Sequence, residues 1–332
     1  MNKKLIALAI AGACVAPEAM AQTANPVTLY GRVYVTLEAV EAKGGATPVD
    51  QRNRVTDQAS YIGVRGTEDL GGGLKAIFQL ETSFPPDNAT TTFGNRNSFV
   101  GLQGGWGSIL AGRYDTPMKS SQTAVDPWGD LTLGDITGAA LDQGNFSRRE
   151  SNHIQYWSPN MAGFSVRLAY TANEGKTSTT NPSLYGGSLA YSKGPFYIAY
   201  AYEKHKDVAA NTSEEGNAIA ARYAFGSFKL SGQYGEYKRD RAEDDTSYMI
   251  GADWALGKHV ILASYQNAEQ GSNDCDMYSL GYRYDFSKRT FFITSYTKVD
   301  NSGTMNCNFG TAGLGAAGQD PQGFMFGVRH LF

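Results

Sequence analysis

The chain has 332 residues, with 29 Lys and Arg against 32 Asp and Glu, a net charge of −3, 12% aromatic and only 18% charged residues. So mildly acidic a balance leaves no footprint for nucleic-acid binding, which calls for a basic surface. Beyond the first twenty or so residues no apolar run approaches the roughly 18 residues of a spanning helix, which excludes a helical membrane protein.

Met1 to Lys4 is basic, Leu5 to Ala16 is apolar or small, and Ala19, Met20 and Ala21 form the A-x-A pattern of a cleavage site before Gln22. Residues 1–21 therefore read as a secretory signal peptide, and 22–332 as one exported domain. Pro17 and Glu18 argue against a membrane anchor, and Ala11 argues against lipidation at Cys14, where such motifs favour Leu. Cleavage removes Lys3, Lys4 and Glu18, taking the basic count from 29 to 27 and the acidic count from 32 to 31, a net charge near −4.

Alternation with a period of two begins at once. In LYGRVYVTL from residue 29, Tyr30, Arg32, Tyr34 and Thr36 share a face opposite Val33, Val35 and Leu37. FSVRLAY from residue 164, YGGSLAY from 185, FYIAYAY from 196, YMIGADWAL from 248 and YSLGYRYDF from 278 repeat the pattern, and about sixteen such stretches are present. The last is the C-terminus itself, GFMFGVRHLF, with Phe324, Phe326, Val328, His330 and Phe332 opposite Met325, Gly327, Arg329 and Leu331. No long amphipathic helix accompanies them.

The connections sort by parity. DLGGG, GGWG, SPNMAG, SKGP, FGS, LGK and FSK are tight, and between them lie long polar segments such as EAKGGATPVDQRN, PPDNATTTFGN, NEGKTSTTNPS, KDVAANTSEEGN and NSGTMNCNFGTAGLGAAGQDP. Short turns at one end and long loops at the other belong to an up-and-down membrane barrel, and an even strand count puts both termini at the short-turn end. Closure removes the unpaired strand edges, and lipid covers the apolar outer face. Polar residues are expected to line the lumen, aromatics to form girdles near strand ends, and about sixteen strands to leave an aqueous channel.

TLYGRVYVTLEA, SYIGVRGTEDLGGGLKAIFQLE, FVGLQGGWGSILAGRYDTP, NHIQYWSP and the terminal GVRHLF, in this order, resemble the general diffusion porins of Gram-negative outer membranes, in the branch typical of β-proteobacteria. The resemblance spans essentially the whole exported chain. It implies a 16-stranded all-β barrel in the outer membrane with periplasmic termini, assembled as a homotrimer among lipid and lipopolysaccharide, with the third extracellular loop folded inward. It also implies that Phe332 is read by the barrel-assembly machinery.

That loop falls at about 115–150, with Asp126, Asp130 and Asp135 along it. Carboxylates facing guanidinium groups across a narrow aperture create a transverse field that selects small hydrophilic solutes and ions by charge. The basic candidates for the facing wall are Arg32, Arg96, Arg113, Arg148 and Arg149, with Arg113 assigned to the polar register together with Ile109 and Ala111. Where many members of that family carry another arginine this chain has Tyr61, which either leaves the aperture less charged or leaves a gap that Arg54 fills from a loop.

Cys275 and Cys307 are assigned to the seventh and eighth extracellular loops, neighbours at one rim, and an exported protein can bridge them. Asp274, Asp276, Asn306 and Asn308 beside them are read as loop formers rather than a cation site. His153, His205, His259 and His330 fall apart in sequence without a catalytic motif, so no enzyme, cofactor or metal is expected. The function expected is passive diffusion; the alternative is a substrate-specific channel or a loop-mediated binding protein or adhesin.

Overall fold

The computed structural model describes residues 27–88, 92–129, 132–139, 146–207, 212–239, 244–310 and 313–332; the candidate signal peptide and Asp130 lie outside them. The strands are β1 (Thr28–Gly44), β2 (Val49–Asp57), β3 (Tyr61–Gly71), β4 (Leu74–Ser83), β5 (Ser98–Gly104), β6 (Gly107–Asp115), β7 (Arg149–Trp157), β8 (Phe164–Thr171) and β9 (Ser183–Lys193). They continue as β10 (Phe196–Lys206), β11 (Ser213–Phe225), β12 (Phe228–Lys238), β13 (Asp245–Leu256), β14 (His259–Gln270), β15 (Asn273–Asp285), β16 (Thr290–Asn301) and β17 (Gln319–Leu331). Neighbours pair antiparallel throughout, and β1 closes the sheet on β17.

Seventeen strands make sixteen staves. β3 pairs with the first part of β1, Thr28 to Arg32, and β2 with the later part, Val35 to Ala42. Together they form one stave broken at Gln58–Ser60, where Ala59 has φ of 48°. The break keeps its backbone groups satisfied: Gln58 N donates to Tyr34 O at 2.9 Å, and Tyr34 N donates to Ser60 Oγ at 2.9 Å. At the closing seam Phe332 exchanges two 3.1 Å hydrogen bonds with Gly31, so the final residue is tied into the wall.

One parity of the wall is apolar and exposed. Leu37, Val100, Leu168, Ile250, Leu280 and Phe326 each have more than half their surface accessible. Only lipid suits such a face, because leaving it in water forfeits roughly 1.5–3 kcal/mol per large side chain. An aromatic band runs round the short-turn end through Phe164, Tyr191, Phe196, Tyr223, Phe225 and Phe228, with successive ring centres 4.6–6.4 Å apart. This is the girdle the sequence leads one to expect.

Two expectations change. The other parity is not uniformly polar: Val260, Leu262, Phe291, Ile293 and Met325 belong to it and are buried with Trp128 and Leu133, from the connection after β6, in one cluster. Nor do long and short connections alternate strictly, because β14 and β15 are separated only by Gly271 and Ser272, so Cys275 lies in a strand. Main-chain pairing is indifferent to side-chain polarity, so a hairpin can extend through a polar sequence that reads as a loop.

Candidate functional site

The connection between β6 and β7 opens with a short helix, α1 (Pro117–Thr123). Thr116 caps it, its Oγ1 accepting from Lys119 N at 3.3 Å, and Pro117 occupies the first turn where no N–H is missed. The segment's polar groups then hydrogen-bond to the buried parity of the wall. Gln122 Nε2 donates to Gln233 Oε1 of β12 at 2.7 Å, and Arg222 Nη1 of β11 donates to Ala124 O at 2.8 Å. Trp128 Nε1 donates to Ser264 Oγ of β14 at 2.8 Å. Gln266 Nε2, also of β14, reaches Gly134 O at 2.9 Å and Asp135 O at 3.0 Å. Met118, Val125, Leu133, Ile136, Ala139 and Phe146 are buried alongside.

The wall from β15 through β17, β1 and β3 to the residues before β5 carries a different arrangement. Phe291 has two guanidinium groups over its ring, Arg329 at 4.1 Å and Arg283 at 5.3 Å from the centre. Tyr61 has two more, Arg96 at 4.9 Å and Arg32 at 5.2 Å. The register links the pairs: Phe291 is opposite Arg329, Arg329 is opposite Tyr34, and Arg32 is opposite Tyr61. Four cations thus alternate with aromatic rings along one belt. Cation–π contacts hold such charges in place without neutralising them.

Neutralisation differs along the belt. Arg96 is paired with Glu81 at 2.5 Å and Arg283 with Asp285 at 2.8 Å. Arg32 donates to Ala59 O at 2.9 Å, and the Nε of Arg329 is buried without a hydrogen-bond partner among the described residues. A neighbouring group centres on Asp115, which accepts Arg149 at 3.1 Å and Lys119 at 3.4 Å. Arg113 lies near Asp115 and Arg149 and donates to Asn95 O at 2.9 Å and Ser151 Oγ at 2.7 Å.

Of the residues singled out from sequence, the structure therefore gathers Arg32, Arg96 and Tyr61, and separately Arg113 and Arg149. Ile109, Ala111 and Arg113 do keep one unshifted register, opposite Leu102, Val100 and Ser98 of β5, but Ile109 is on the exposed face, so that register is not the polar one. Arg148 pairs with Glu150 and lines a hollow with His205, Lys206 and Asp207. Arg54 pairs with buried Glu38 at 2.6 Å. Asp126 and Asp135 serve the segment's own turns: Asp126 Oδ1 accepts Trp128 N at 3.0 Å, and fully buried Asp135 accepts Thr132 N at 3.0 Å and Thr137 N at 2.8 Å. Arg283, Arg329, Glu81 and Asp115 were missed, although the alternation already put both arginines opposite the apolar parity.

Cys275 and Cys307 form a disulfide, with Cα atoms 6.3 Å apart.

The family described as Gram-negative porin matches residues 6–304. Outer membrane porin protein 32 of Delftia acidovorans is 32% identical over the full length of both chains. Major outer membrane protein P.IB of Neisseria gonorrhoeae is 30% identical, covering 89% of this chain and 92% of that one. Among solved structures, the anion-selective porin from Comamonas acidovorans superposes with a TM-score of 0.82 at 30% identity, over 93% of this chain and all of that one. The trimer form of OmpT from Vibrio cholerae reaches 0.74 at 17% identity over 93% of this chain and all of that one, a likeness of fold alone.

Proposed function

We propose, since the chain belongs to the family of Gram-negative porins, a reading of how its channel selects solutes. The protein is an outer-membrane porin, a water-filled channel for passive diffusion rather than an enzyme. In our reading residues 1–21 are the signal peptide, residues 22–332 form one barrel domain with periplasmic termini, and segment 116–148 folds across the lumen to set the size limit. The hydrogen bonds from that segment to Gln233, Ser264 and Gln266 support this.

Charge preference comes from the facing wall. Arg32, Arg96 and Arg113, joined by Arg283 and Arg329, outweigh Asp126, Asp130 and Asp135, because the carboxylates of Asp126 and Asp135 are engaged in turns. The channel therefore prefers anions, in keeping with the name of its Comamonas neighbour. The observation that carries this is the belt of four guanidinium groups on two aromatic rings. Three barrels assemble as a homotrimer, by analogy with the Vibrio trimer, surrounded by lipid and lipopolysaccharide after insertion by the assembly machinery.

The test is the zero-current potential of the purified protein in a planar bilayer under a KCl gradient. A potential set by chloride is expected. One set by potassium would reverse the charge assignment while leaving the channel intact.

A further inference from the structure

The connection between β16 and β17, residues 302–318, is stapled to β15 through Cys307 and Cys275, neither more than 1% exposed. Around the bond lie Met277 and Val299 of the wall, Met305 of the connection, and Ala139 of segment 116–148. Asn301 at the end of β16 clamps the same point, its Nδ2 donating to Cys307 O at 3.0 Å and its Oδ1 accepting from Cys307 N at 2.9 Å.

The three residues that follow Cys307 each meet segment 116–148. Asn308 N donates to Gly138 O at 3.2 Å. Phe309 is buried in the cluster that holds Trp128 and Leu133. Gly310 passes so close to Asp135 that a Cβ there would overlap its carboxylate. Residues 132–139 are thus held on one side by β14 and on the other by 308–310.

We infer that the disulfide-closed connection 302–318 is the strut that fixes residues 132–139, and through them the width of the aperture. This rests on the reading of segment 116–148 as the constriction. The bond ties Cys307 to the paired strand β15, and so holds the adjacent Asn308 and Phe309 where they meet Gly138 and the cluster of Leu133. Cysteine at 275 and 307 therefore acts by positioning, without touching the solute. The bond forms in the oxidising compartments outside the cytoplasm and is too buried to serve as a reversible switch in the folded barrel.

The test compares three refolded proteins: the parent, the Cys275→Ser/Cys307→Ser variant, and a Leu133→Ala/Ile136→Ala variant that loosens the segment itself. Each is checked for heat-modifiable mobility, then read for open-channel noise and for the largest neutral sugar that swells loaded liposomes. The cysteine-free barrel is expected to admit larger sugars and to conduct with more noise, while the parent keeps its limit under a dithiol reductant. A second background, Phe309→Ala with the bond intact, is expected to shift the limit in the same direction and supplies the reading if the cysteine-free chain does not refold. An unchanged limit and noise in the folded cysteine-free barrel, or in Phe309→Ala where that supplies the reading, overturns the strut. An unchanged limit in Leu133→Ala/Ile136→Ala overturns the constriction reading instead.

Discussion

Gly281 of β15 lies beneath the indole of Trp128: a Cβ at position 281 would sit 2.7 Å from the ring, and Trp128 spans from there to Ser264 Oγ, 2.8 Å away. The wall is thinned to backbone where the segment's bulkiest side chain lands. Gly281→Val should therefore unseat Trp128 at an overpacking cost of about 1–3 kcal/mol, since the neighbouring wall cannot retreat. The expected outcome is a lower urea midpoint for refolded barrel and an altered single-channel conductance. Parent values for both would show that Trp128 is not seated by that contact.

The belt makes a graded prediction for selectivity. Arg32→Gln, Arg96→Gln and Arg329→Gln should each move the zero-current potential toward potassium, with the largest step at Arg96. Removing Arg96 also leaves Glu81 without its cation, whereas Arg329 has no ion pair with a carboxylate among the described residues. Equal shifts at all three positions would refute this difference in neutralisation.

Tyr61→Arg tests the converse. A cation placed between Arg32 and Arg96, whose guanidinium groups stand 5.2 and 4.9 Å from the present ring, meets like charge on both sides. Each repulsion is about 1 kcal/mol in watery surroundings. Chloride preference should rise while thermal stability falls, measured by reversal potential and by the temperature at which the folded band is lost on gels.

Ionic strength should weaken the selectivity. The Debye length falls from about 10 Å at 0.1 M to about 3 Å at 1 M, so a preference set by the wall's charges fades as salt rises. Reversal potentials at a fixed KCl ratio but increasing mean concentration should converge toward zero. A salt-independent preference would point to a size effect instead.

The outer face gives a stability prediction. Leu280 is 61% exposed on the lipid side, and Leu280→Arg should cost about 2–4 kcal/mol if it lies near the bilayer midplane. Its neighbour Ser279 belongs to the buried parity, so the effect is specific to the face. Folding titrations into liposomes read the difference; a neutral Leu280→Arg would place that face away from lipid.

The sequence by itself determined the faces of the barrel, because a strand shows its two sides in strict alternation and a membrane wall must put apolar residues outward. Tyr30, Arg32 and Tyr34 against Val33, Val35 and Leu37 were legible on that ground, as was a chain ending in the wall at Phe332. Only the tertiary structure decided what lay against the other parity. Val260, Leu262, Phe291 and Ile293 have no reason to face a lumen until Trp128 and Leu133 arrive to cover them. Spacing placed Asp126 and Asp135 in one segment but could not say whether their carboxylates would face solute or close turns, since that depends on hydrogen bonds a few residues away. The pairing of four arginines onto two rings was equally out of reach, because register brings together β15, β17, β1 and β3 from opposite ends of the chain, and contacts across a closing seam leave no local pattern to read.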